Sequence, residues 1–129
     1  MQLLYEDLTL YPHSDTLDLD KAYNVGWLSD TMDFPTGTPP DLFLEKLLRI
    51  CGHPINVRRS LHVCPICKMR KDEYAKHYKH TALNLVGSVA DILVKGKDAA
   101  YVSPVQIYHY IADHKYLPPE YFIKSVLEN

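Results

Sequence analysis

The sequence predicts an α+β domain: a small, mostly antiparallel sheet with a zinc-knuckle hairpin and about three helices. Three observations carry this. Short apolar segments of strand character bracket a Cys-x-x-Cys turn. Lys95-Gly96-Lys97-Asp98 separates two of those segments as a hairpin turn would. The C-terminal third changes to helical spacing with clear start and stop residues. With 129 residues, 47% apolar and 23% charged, the chain is read as one domain, residues 1–129, with enough apolar content for a core.

Residues 2–11 alternate weakly through Leu4, Glu6, Leu8 and Leu10, which predicts one or two short strands. Tyr23 to Leu28 predicts another. Residues 33–40, with Pro35, Gly37, Pro39 and Pro40, are a turn-rich loop. Residues 41–51 are the first helix, since Leu42, Leu44, Leu47, Leu48 and Cys51 recur near helical spacing. Asp41 stands where it could cap that helix and Gly52 where a left-handed stop would sit. Cys51 reads as a small buried hydrophobe. Residues 55–63 predict a strand leading into the cysteine pair. Ala82–Val86 or Val89–Val94, then Ala99–Val102, are the hairpin strands. Ser103, Pro104 and Gln106 read as a capping box opening a helix that ends near His114. A last helix spans about Glu120 to Leu127 and presents Phe122, Ile123, Val126 and Leu127.

The chain carries no run long enough to cross a membrane, and no basic segment precedes the first apolar residues. These features predict a cytoplasmic protein. Its three cysteines, an odd number, argue against a disulfide framework. Net charge is −2, but it is unevenly spread: −6 over residues 1–57, +6 over 58–97 and −2 over the remainder. Such polarity can steer a partner of opposite sign.

His62-Val63-Cys64-Pro65-Ile66-Cys67 is the sharpest motif. A Cys-x-x-Cys turn can present two thiolates to one tetrahedral zinc ion, which takes four protein ligands in a structural site. Two completions compete. The local one uses His77 and His80, at a spacing shorter than the usual finger. The distant one adds His62 and either His109 or His114. Those two are five residues apart, about 140° around a helix, so one ion is expected to take only one of them unless the helix ends between them. A redox dithiol is the other chemistry for Cys64 and Cys67, although the βαβ setting such pairs favour is missing.

The ordered string Gly26-Trp27-Leu28, Phe34-Pro35-Thr36-Gly37, His62-x-Cys64-x-x-Cys67 and Tyr101-x-x-Pro104-x-x-Ile107-x-His109-Tyr110-Ile111-x-x-His114-x-Tyr116-x-Pro118-Pro119-x-x-Phe122 resembles an uncharacterised family of small bacterial proteins. The resemblance covers roughly residues 25–127, with 69–81 as an insertion. It implies that His62, Cys64, Cys67, His109 and His114 belong together. The order of knuckle, hairpin and returning helix also resembles a treble-clef zinc fold.

Three function classes follow. A zinc-binding protein-interaction module would use its acidic 1–57 segment to cover a basic partner, as a toxin-neutralising immunity protein does. A nucleic-acid binder would use Arg58, Arg59, Lys68, Arg70, Lys71, Lys76 and Lys79, interleaved with Tyr74 and Tyr78. The chain's acidic balance weighs against that class. A metal-dependent nuclease or hydrolase is the third, and no nucleophile elbow, phosphate loop or general base supports it. The first class is preferred, with a structural zinc ion and no catalytic residue.

Overall fold

The computed structural model of the chain describes residues 6–12, 22–29, 31, 33–61, 64–68, 88–97 and 99–129. The described elements are β1 (Ala22–Asn24), α1 (Phe43–Cys51), β2 (Ile55–Leu61), β3 (Ser88–Lys95), β4 (Ala100–Pro104), α2 (Ile107–His114) and α3 (Glu120–Leu127). The strands form one sheet in the order β1-β4-β3-β2. Only the β1–β4 pair is parallel. The architecture is the α+β arrangement that the sequence predicts. Among the described residues no helix is long and apolar enough to cross a membrane.

Alternation along the central strands sorts side chains between two layers. Ala90, Ile92, Val94 and Tyr101 join Phe43, Leu47, Tyr110, Phe122 and Val126 in the main core, on the helical side. Ala100 and Val102 join Ala22, Trp27 and Tyr11 in a smaller cluster. Every residue of β4 is buried, as a central strand covered on both faces must be. The free edge of β1 is occupied by the N-terminal segment. Leu8 and Tyr11 donate backbone N–H groups to Asn24 and Ala22, and Asn24 donates back to Thr9. The predicted strand over residues 2–11 is therefore, in its described part, an isolated bridge at Leu10.

Helix α1 buries Phe43, Leu47 and Cys51, four residues apart, as an apolar stripe. Phe43 meets Phe122 of α3 edge-on, with ring centroids 6.3 Å apart. Lys46 Nζ donates to the carbonyl of Leu127 at 2.7 Å, near the C-terminal end of α3 where helix carbonyls lack internal partners.

Several predicted boundaries shift, each for a local reason. The strand expected over Tyr23–Leu28 stops at Asn24, because Gly26 turns the backbone to φ +83°. Asp41 does not cap α1: Leu42 holds the N-cap position at φ +70°, with no side-chain cap. Gly52 is no left-handed stop, since its φ is −72°. Its N–H closes onto the carbonyls of Leu48 and Arg49 instead. The capping box at Ser103 is replaced by sheet. Asp91 pairs with Pro104 and Ile92 with Ser103, and Val105 N–H reaches Ala90 O at 2.9 Å. The ladder of β3 thus satisfies the backbone that a cap would have served. Gln106 holds the N-cap position of α2 without a side-chain cap. Of the hairpin alternatives, Val89–Val94 lies within β3, while Ala82–Val86 falls outside the described residues. Gly96 N–H to Ala99 O (2.8 Å) closes the turn between β3 and β4.

Gly26 is required twice. Its φ disfavours any side chain, and a Cβ there would stand 2.6 Å from Ile107 Cδ1. Gly26→Ala should lower stability by about 2–5 kcal/mol, the sum of backbone strain and overpacking against α2. Urea denaturation of the two proteins measures it; an unchanged midpoint would contradict the packing described.

Candidate metal centre

Cys64 and Cys67 lie on a tight turn, closed by a hydrogen bond from Lys68 N–H to Cys64 O at 2.9 Å. Lys68 leaves that turn at φ +62°, and its Nζ donates to Pro65 O. Cys64 is fully buried in the main core, whereas Cys67 is exposed. The other half of the site comes from α2. That helix is anchored by Ile107, Tyr110 and Ile111, all buried. His109 is 0% exposed, and His114 is the last helical residue. Lys115 then turns left-handed at φ +60°, and Tyr116 N–H returns to Tyr110 O.

Four donor atoms converge where these halves meet. Cys64 Sγ lies 3.5 Å from His114 Nε2, and Cys67 Sγ lies 3.3 Å from His109 Nε2. The two Nε2 atoms are 3.2 Å apart. All four donors fall within 4.8 Å of one another. Bond lengths for zinc imply tetrahedral edges of about 3.3 Å between nitrogens, about 3.6 Å from nitrogen to sulfur and about 3.8 Å between sulfurs. Three of the donor–donor distances match those edges, and the donors of Cys64, Cys67, His109 and His114 lie close enough together to hold one metal ion as a Cys2His2 group. The same distances suit other ions of similar radius.

The expectation that one ion could take only one of His109 and His114 is overturned as a matter of reach. The 140° angle separates backbone directions, not ring tips. The two imidazoles stand perpendicular, at 89°, with centroids 4.8 Å apart, and meet at Nε2. The two Nε2 atoms come within reach of one ion although α2 does not end between them.

Asp113, which the sequence reading did not single out, completes the arrangement. Its Oδ2 lies 2.9 Å from His109 Nδ1. A proton on Nδ1 donated to this carboxylate leaves the Nε2 lone pair facing the cysteines. The signal was available in the sequence as the (i, i+4) spacing on a helix.

Protonation follows from burial. Burial lifts the Cys64 thiol to about 11, against the opposing pull of the Cys67 and Ile66 amides. Burial likewise lowers His114 below its usual 6.5, with Asp113 pulling the other way. Cys51, buried in the core away from this cluster, is pushed up to about 12 and remains a thiol. It packs as the hydrophobe expected.

His62, His77 and His80 lie outside the described residues, as do Arg70, Lys71, Lys76 and Lys79. Arg58 and Arg59 are on β2, and Lys68 follows the knuckle.

Fold and site together define a small α+β domain bearing a candidate Cys2His2 metal-binding group. A family model described as a domain of unknown function, DUF7919, matches residues 3–127, and the chain belongs to that family. The match begins well before residue 25, where the motif resemblance starts. No curated protein and no solved structure matches the chain.

Asp113→Asn should weaken metal binding by about 10- to 100-fold while leaving the fold intact, as loss of a carboxylate behind a ligating histidine does. Competition against a chelator of known affinity reads this; unchanged affinity would remove Asp113 from the site. Without metal, the two shifted groups act in opposite directions. A lowered His114 favours folding fully above pH 6.5 and progressively less as pH falls through its lower folded value. A raised Cys64 favours folding below pH 9.0, an effect lost as pH rises toward about 11. Urea denaturation in chelator should therefore show stability falling on both sides of that window.

Proposed function

We propose that the chain is a non-enzymatic interaction domain held together by one structural Zn2+ ion, with Cys64, Cys67, His109 and His114 as its ligands. The single observation that carries this is the convergence of four protein donors within 4.8 Å of one another. Four protein ligands fill a zinc ion's preferred sphere, whereas catalytic sites keep a position open for water or substrate. The donor set is soft and nitrogen-rich, which favours zinc over calcium or magnesium. The ion would join the knuckle to α2, two segments that no sheet pairing links among the described residues.

The partner is proposed to be a basic protein surface, met by the acid-rich N-terminal region. An immunity protein that covers a cationic toxin is the most specific form of this reading. It is supported by small size and by the −6 balance of residues 1–57.

The test is metal analysis of the purified chain, with thermal melts before and after chelation. About one zinc per chain and a large drop in melting temperature are expected, because metal binding is then part of the folding free energy. Cys64→Ser and His114→Ala should lose the metal, whereas His77→Ala and His80→Ala should keep it. A metal-free protein whose melt ignores chelator would overturn the proposal. Loss of metal in the His77 or His80 variants would move the site to the local ligand set.

A further inference from the structure

Three acids of the N-terminal region share one place in the fold. Glu6, Asp7 and Asp33 line a cleft of about 540 Å³ whose remaining wall is apolar, Phe34, Pro35 and Pro119 among it. That volume is within the range of ligand-binding pockets. Asp7 is fixed at both carboxylate oxygens: Oδ1 accepts from Gly26 N–H at 2.9 Å, and Oδ2 accepts from Tyr116 OH at 2.6 Å. Both donors are neutral groups, and among the described residues no base pairs with Asp7. Glu6 and Asp33 make no ion pair among the described residues. The described bases of this region are turned elsewhere, Lys46 to the carbonyls of Leu127 and Asn129 and Arg49 to Glu45.

The chemistry narrows the occupant. An anion is repelled. A divalent metal does not fit, because the only described acid, cysteine or histidine group close enough to hold one is the Cys64 cluster. An apolar wall beside carboxylates suits a long aliphatic stem ending in a cation. Phe34 adds a ring on which a planar guanidinium can stack. The geometry points to this cleft as the pocket for an arginine side chain of a protein partner, its stem along Phe34, Pro35 and Pro119 and its head toward Glu6 and Asp33. This rests on the protein-partner reading above and gives that partner its chemistry.

The test uses the full, metal-loaded chain labelled for NMR. The probe is a capped Gly-Arg-Gly peptide, with the same peptide carrying norleucine for arginine and, separately, spermidine as controls. Shifts concentrated at Leu28, Phe34 and Leu117 with the arginine peptide, and much weaker with norleucine, are expected. The double variant Glu6→Gln/Asp33→Asn should weaken binding about tenfold, as loss of two partly exposed ion pairs would. Equal binding of the norleucine peptide, or shifts confined to other surfaces, would overturn the proposal. Binding of spermidine at the cleft as tight as that of the arginine peptide would overturn the protein source and assign a free polyamine. Pull-downs with wild type and double variant separate the two readings. A partner retained equally by both defeats the cleft alone, whereas no partner for wild type defeats the interaction reading on which it rests.

Discussion

The seating of α2 in the main core, against α1, is the constraint on which the rest depends. This helix has eight residues and serves two surfaces at once. Ile107, Tyr110 and Ile111 are buried in the main core, and Ile107 closes against the backbone at Gly26. With those positions fixed, His109 is carried into a fully buried place where Asp113 sets its ring. Buried apolar side chains tolerate little displacement, since interiors are close-packed. The ligand geometry is therefore a consequence of core packing and does not rely on loop flexibility.

The knuckle stands in a different position. It is short, and its described residues belong to no strand or helix. Cys64 and Ile66 pack against the core, but Cys67 faces solvent. The partners it meets on α2 are 42 and 50 residues away in sequence. The paired strands β3 and β4 lie within that span, so the sheet already brings its two ends toward one another. Two of the four donor residues, Cys64 and His109, are buried there, and their polar atoms depend on the partners that the cluster itself supplies. A cation bound at their centre would favour the folded chain, because the unfolded chain offers no preformed site for it.

What the sequence disclosed was mainly what depends on local chemistry. The Cys-x-x-Cys turn, the hairpin turn at 95–98 and the last helix were legible because each rests on nearby residues. Boundaries decided by tertiary competition were not. Ser103 has every property of a helix cap, but the ladder from β3 claims its backbone. Gly52 has the composition of a left-handed stop, yet α1 closes there without one. The pairing of His109 with His114 was obscured for a geometric reason: a helical wheel reports where side chains leave the backbone, and ligation depends on where they end. Asp113 was readable by spacing but carries no motif. Asp7 owes its importance to Tyr116, 109 residues away, and no sequence pattern announces a contact of that separation.

Tyr116 makes the metal-binding group and the acidic cleft parts of one construction. It follows His114 by two residues, immediately after the left-handed turn at Lys115. Its backbone N–H is tied to Tyr110 and its ring stands edge-on to Phe34, with centroids 5.9 Å apart. Its hydroxyl holds Asp7, and burial together with that carboxylate raises its pKa and keeps it a donor. Thr36 bridges to the same residue, and Gly37 N–H reaches Lys115 O at 3.0 Å. The end of α2 thus fixes, within two residues, one ligand of the proposed ion and the anchor of the cleft's central carboxylate. On the proposed reading, an ion that secured the last turn of α2 would also hold the 33–37 loop and the N-terminal segment through Tyr116, and so would shape the surface without performing any chemistry.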